Sequence, residues 1–276
     1  ERVFEVIDED KEQDKESAKN IDNIEGHVEL KNVTFSYEEG KEILKNVSIE
    51  AKNGEVIAIV GPTGAGKTTI INLLTKFYDI DSGDILIDGK NINEITRESL
   101  RKTVSMVLQD TYLFSESVSD NIRYGRLDAT DEEVINAAKA VNAHEFIMKL
   151  ENGYKTEVNE RGSRLSLGQR QLLSFARALL ANPRILILDE ATSNIDTVTE
   201  KLVQKGIEKL LYGRTSFVVA HRLSTIRDCD KIMVINNGKI EEEGNHEELL
   251  KLRGIYYELY MAQYNFMNQW NVTSLV

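Results

Sequence analysis

Gly61-Pro62-Thr63-Gly64-Ala65-Gly66-Lys67-Thr68 fits the spacing G-x-x-x-x-G-K-[ST]. Glycines at these positions let a backbone curl so that successive N–H groups point inward at phosphate oxygens. Lys67 is placed to reach the outer phosphates of a nucleoside triphosphate, and the Thr68 hydroxyl to hold a Mg²⁺ ion beside them. Thr69 continues the same segment into the helix expected from Lys67, whose positive dipole end adds to the field. A second chemical feature is Ile185-Leu186-Ile187-Leu188-Asp189-Glu190, two carboxylates at the carboxyl end of an apolar run. Adjacent acids there are costly without a cation or proton to manage. Asp189 suits Mg²⁺, and Glu190 suits polarising an attacking water. A third is Ser166-x-x-Gln169 ahead of an apolar helical run, a capping-box pattern whose helix offers free N–H groups to an anion.

These residues need a frame that aims them. The apolar run Val56–Val60 leads straight into the glycine loop, and a helix from Lys67 leaves it. Val28 and Leu30, then Val33 and Phe35, alternate with polar residues as a half-buried strand with a bulge. Val47–Ala51 and Ile85–Ile87 read as further strands, with turns at Asn53-Gly54 and Asp88-Gly89. Val118–Tyr124, Asp131–Val141 and Ala143–Leu150 read as helices, and Thr130 with Glu133 makes a capping box for the second. A helix from Gly168 to Ala181 precedes Pro183 and the strand at Ile185. That strand lacks alternation, as expected where helices cover both faces of a parallel sheet. A helix over 198–211 follows, then strands Thr215–Ala220 and Lys231–Ile235, the Asn237-Gly238 turn, and two helices from His246. Alternating strands and helices give an α/β class.

The chain has 276 residues and a formal charge of −12, from 34 Lys+Arg against 46 Asp+Glu. That balance argues against a nucleic-acid partner, which needs a basic face. A single cysteine, Cys229, excludes an internal disulfide framework and favours a reducing compartment. No apolar run approaches the ~18 residues of a membrane span. Residues 8–16 are charged at all but Gln13 and read as a solvated linker or arm. The uncharged stretch 264–276 reads as a packed or frayed tail. The opening residue is Glu1 rather than Met, which is read as the start of a fragment.

Taken in order, GPTGAGKT (61–68), Gln109 in VLQD, LSLGQ (165–169), ILILDE (185–190), SNID (193–196) and His221 in VAHR resemble the nucleotide-binding domain of an ATP-binding cassette (ABC) transporter. The likeness runs from about His27 to about Tyr260, and LSLGQ between the phosphate loop and the DE strand is its specific part. It implies a P-loop NTPase (RecA-like) core, an antiparallel β subdomain and an inserted α-helical subdomain over about 110–165. ERVFEVIDE (1–9) and TEVNERG (156–162) resemble the exporter branch, so 1–26 is read as a linker from an upstream transmembrane domain, 27–262 as the ATPase and 263–276 as a tail.

Family roles then fall on residues of this chain. Tyr37 stacks on adenine. The loop from Gly61 to Thr69 holds ATP, with Mg²⁺ on Thr68, Gln109 and Asp189. Gln109 also relays to the membrane domain. Glu190 and His221 arrange the attacking water. Asp196 belongs to the nucleotide-site set. Ser166, Gly168 and Gln169 face the γ-phosphate bound to a second ABC ATPase domain, so that two domains sandwich ATP head to tail at the cytoplasmic face of the cell membrane.

The family's usual signature is LSGGQ, and here Leu167 stands at the first glycine. A leucine resists φ > 0 and adds bulk. An intact phosphate side beside an altered signature side slightly favours a heterodimer over a homodimer. Two other classes stay open: a soluble ABC ATPase acting on nucleic acid or ribosomes, and a non-hydrolytic ATP-gated dimerisation module. Lys67 and Ser166 stand 99 positions apart, too close for the coiled-coil insertion of chromosome-acting relatives.

Overall fold

The computed structural model describes residues 13–108, 111–158, 162, 165–190, 197–220, 223–262 and 264. The first elements are β1 (Val28–Ser36), β2 (Glu42–Ala51), β3 (Val56–Val60), α1 (Lys67–Leu74), β4 (Ser82–Ile87), β5 (Lys90–Asn91), α2 (Arg97–Thr103) and β6 (Val104–Val107). The helices α3 (Val118–Arg123), α4 (Asp131–Ala140), α5 (His144–Ile147) and α6 (Leu167–Ala181) follow. Next come β7 (Ile185–Glu190), α7 (Thr197–Leu211), β8 (Thr215–Ala220), α8 (Leu223–Arg227), β9 (Lys231–Asn236), β10 (Lys239–Gly244) and α9 (His246–Leu252).

The apolar runs line up as one six-stranded sheet in the order β10-β9-β3-β8-β7-β6. Its five inner-to-edge strands β9, β3, β8, β7 and β6 are parallel, and β10 closes the other edge antiparallel to β9. Side chains alternate between two separate cores, as the period of 2 requires. Ile57, Ile59, Ile185, Ile187, Phe217, Val219, Met233 and Ile235 point into one core. Ala58, Val60, Leu186, Leu188, Val218, Ile232 and Val234 point into the other. Each fully buried Ile or Leu contributes on the order of 1.5–3 kcal/mol. This double burial is why the strands read as unbroken apolar runs.

The first core is roofed by a four-stranded antiparallel sheet, β2-β1-β4-β5. Register shifts along β1, between Leu30 and Val33 and beyond, account for the break in its alternation. The second core is covered by α3 to α7, with α6 packed against α3, α4 and α7. Thr130 caps α4 in a full capping box with Glu133. The expected helix over Ala143–Leu150 is the shorter α5 followed by turns. The sequence pattern does not mark α2 or β6. Here Thr96 caps α2 through the Ser99 N–H, and the chain turns directly from Thr103 into a strand.

Residues 13–26, within the stretch read as linker, pack on the domain. The Ser99 hydroxyl accepts from the Ile21 N–H at 2.9 Å and donates to the Ile21 carbonyl at 3.1 Å. Ile21 and Ile24 are buried, and Lys19 bridges Ile95. Among the described residues no helix is long and apolar enough to cross a membrane.

Candidate active site

The parallel strands deliver their carboxyl ends to one edge of the sheet, the edge where open α/β sheets bind ligands. β3 ends at Val60, one residue before Gly61. β6 ends at Val107 opposite Leu188, two residues before Gln109. β7 carries Asp189 and Glu190, which pair with Val219 and Ala220 of β8, and His221 is the next residue after β8. Gln109, Asp196 and His221 lie outside the described residues, as does the side chain of Glu190.

The loop from Gly61 is held in a tight curl by neighbours on three sides. A Cβ on Gly61 would sit 2.1 Å from the Ile235 carbonyl oxygen, so β9 passes too close for any side chain. A Cβ on Gly66 would sit 2.7 Å from Leu44 Cδ2, and Gly66 has φ 108°. The Gly238 N–H donates to the Ala65 carbonyl at 3.2 Å, and the Lys45 N–H donates to the Gly238 carbonyl at 2.8 Å. Asn237-Gly238 therefore clamps the loop. From the sequence, Asn237-Gly238 reads only as a turn.

Pro62, Thr63 and Gly64 are exposed, and the space beside Gly64 is open. α1 starts at Lys67 with no side-chain cap and no acid in its first turn. Its N–H groups and dipole are left for an anion. Lys67 folds back over the curl and donates from Nζ to the Gly61 and Pro62 carbonyls, at 2.8 Å each. Burial lowers the Lys67 pKa from its ordinary value, and the charge of Asp189 acts in the opposite sense. An arriving phosphate meets a half-buried cation whose hydrogen bonds go to two backbone carbonyls. Thr68 is exposed at the helix start, while Thr69 is buried beneath it.

Thr69 links the loop to Tyr37. The Tyr37 hydroxyl donates to Thr69 Oγ1 at 3.3 Å and accepts from Asn72 Nδ2 at 3.2 Å. The ring meets Phe35 and Tyr78 edge-on at 4.8 and 5.0 Å. It remains 46% exposed, so it is a surface platform rather than a core residue. A planar base can lie on it within reach of the phosphate loop.

Mg²⁺ takes oxygen ligands and keeps several waters together with substrate phosphates. The exposed Thr68 hydroxyl and the half-buried Asp189 carboxylate, whose charge is felt at Lys67, fit that need. Among the described residues no group of three His, Cys, Asp or Glu forms a cage, so the ion would depend on phosphate oxygens and water.

Ser166 is the cap at the start of α6. Its Oγ accepts from the Gln169 N–H at 3.2 Å, and Gln169 Oε1 accepts from the Ser166 N–H at 2.9 Å. This is the capping box expected from the sequence. Ser166 is exposed and Gly168 is buried. Leu167 corrects an expectation. It is the first helical residue of α6 and has no positive φ. The position therefore accepts any ordinary residue, and no backbone strain arises there. What Leu167 adds is half-buried bulk one residue after Ser166.

The other histidines have structural partners. His144 Nδ1 lies 2.9 Å from the Tyr154 hydroxyl, His246 Nδ1 lies 2.7 Å from the Tyr256 hydroxyl, and His27 pairs with Glu50.

Comparison with known proteins gives one consistent result. Residues 44–193 match the ABC transporter family. The chain is 51% identical over 265 residues to an uncharacterized ABC transporter ATP-binding protein, YfiC, of Bacillus subtilis, covering 96% of this chain and 44% of that protein. It is 50% identical over 262 residues to a fatty acid ABC transporter ATP-binding/permease protein of Mycobacterium bovis, covering 95% of this chain and 41% of that one. The structure of a bacterial Atm1-family ABC exporter with ATP bound superposes with a TM-score of 0.88 at 43% identity, covering 95% of this chain and 46% of that chain. The chain spans less than half the length of each.

Proposed function

This chain belongs to the ABC transporter family, and from that premise we propose that it binds and hydrolyses ATP to drive an exporter. The observation that carries this reading is the uncapped start of α1, set behind the curled loop at the sheet's carboxyl edge, with Lys67 the half-buried cation across it. ATP lies with its base on Tyr37 and its phosphates in the loop of Gly61, Pro62, Thr63, Gly64, Ala65, Gly66, Lys67 and Thr68. Loop N–H groups and Lys67 balance charge on the β- and γ-phosphates. Mg²⁺ held by Thr68, Asp189 and Gln109 would supply further neutralisation of that charge. Glu190 accepts a proton from the attacking water, and His221 orients it. Asp196 completes the chain's own nucleotide set.

The signature residues Ser166, Gly168 and Gln169 belong to the facing half. Their helix start carries no acid in its first turn, and the Ser166 side chain is partnered by Gln169. A second ABC ATPase domain brings its phosphate against them, and ATP holds the pair together. Leu167 beside an intact phosphate side favours a heterodimer. A transmembrane domain upstream in the same polypeptide would receive the motion at the cytoplasmic face of the membrane. The permease part named in relatives supports that assembly.

Glu190→Gln tests the reading. It is expected to abolish phosphate release while ATP holds the 31.3 kDa chain to its partner ABC domain, read as a rise in particle mass. Near-native turnover in this variant contradicts the role of Glu190.

A further inference from the structure

Asn72 belongs to neither the phosphate loop nor the acidic strand end. It lies on α1 three positions after Thr69, so the two side chains share one face of the helix whose first turn carries Lys67 and Thr68. Both reach the same atom. The Tyr37 hydroxyl donates to Thr69 Oγ1 at 3.3 Å and accepts from Asn72 Nδ2 at 3.2 Å. Tyr37 itself comes from the end of β1, 35 positions before Asn72.

Other rings hold the body of Tyr37. Buried Phe35 meets it at 4.8 Å with an interplanar angle of 87°, and Tyr78 meets it at 5.0 Å and 86°. Both are edge-on pairs, a favoured aromatic geometry. Two rings therefore brace the ring and two hydrogen bonds fix its tip. Water can serve the hydroxyl of so exposed a tyrosine, so the bonds to α1 add little net stability, and what they set is orientation. A tyrosine left free must give up rotamer freedom when a base lands on it, a cost equivalent to about three- to tenfold in affinity.

We propose that Asn72 is a positioning residue for the nucleotide base. Through the Tyr37 hydroxyl it holds the ring in its stacking orientation and ties the base platform to the helix that takes the phosphates. This rests on the reading of Tyr37 as the base platform and names the residue that sets it. Asn72 acts through Tyr37 and needs no contact of its own with the nucleotide.

Two ligands separate positioning from a general structural role: MgATP, and magnesium tripolyphosphate, which carries phosphates without a base. Each is titrated calorimetrically into the 276-residue chain. Asn72→Ala is expected to weaken MgATP about three- to tenfold and to leave tripolyphosphate affinity unchanged. Alanine is the better helix former, so the melting temperature is expected to hold or rise. Tyr37→Phe keeps the ring and loses both hydroxyl bonds. It is expected to weaken MgATP at least as much, and the double variant no further, because both changes break the same link. Native MgATP affinity in Asn72→Ala, equal losses for the two ligands, or losses that add in the double variant overturn the proposal. Equal affinity of the native chain for MgATP and tripolyphosphate instead removes Tyr37 as the base platform, and the proposal falls with it.

Discussion

Gly61→Ala separates close approach from mere turn-making. The added Cβ would meet the Ile235 carbonyl oxygen at 2.1 Å, whereas ordinary contact begins at 3.4 Å. The loop or β9 must therefore retreat by about 1.3 Å, and the obstacle is backbone rather than a flexible side chain. Overpacking of this kind costs ~1–3 kcal/mol, and rigid backbone puts it near the upper end. A displacement of ~1 Å in groups that must converge on one ligand costs about a hundredfold in what they achieve together. Titration with ATP, beside urea unfolding of the same samples, is expected to show a chain that folds with reduced stability and binds ATP about a hundredfold more weakly. The control is Gly89→Ala. Gly89 has φ +75° and open space around it, so alanine there meets only the left-handed penalty of ~1–2 kcal/mol and leaves ATP affinity unchanged. Native ATP affinity in Gly61→Ala would refute the role assigned to the β9 contact.

Lys67→Ala is expected to weaken ATP about a hundredfold, the ~3 kcal/mol of one or two charged hydrogen bonds, in the same titration. Ser166→Ala removes the reciprocal cap of α6 and is expected to lower unfolding free energy by ~1 kcal/mol, while Ser166→Gly costs only a few tenths. His246 has its pKa lowered from 6.5, first by burial and then by the charge of Arg227. The native state then holds the proton less tightly than the unfolded chain. This contribution to stability is full above about pH 6.5 and is lost as pH falls through that value towards the folded pKa. A histidine NMR titration with a midpoint at or above 6.5 contradicts it.

Much of the site was legible because its residues obey local rules. The phosphate loop, the Asp189–Glu190 strand end and the Ser166–Gln169 cap each need contiguous residues, and contiguity is what a sequence displays. The strand Val104–Val107 is not marked in the sequence because it is four residues long and follows α2 without a break. The clamp by Gly238 joins positions far apart in the chain, and nothing local marks such a contact. Leu167 misled in a different way. A glycine in a motif suggests a need for φ > 0, but the residue sits at the first helical position, where glycine gives room instead.

A composite chamber is the central claim, and a structure of the Glu190→Gln chain with ATP, alone or with its partner domain, measures it most directly. The account predicts a γ-phosphate lying between Lys67 of one domain and the signature serine of the facing one. A nucleotide away from Gly61–Thr68, or one enclosed entirely by residues of a single chain, contradicts it.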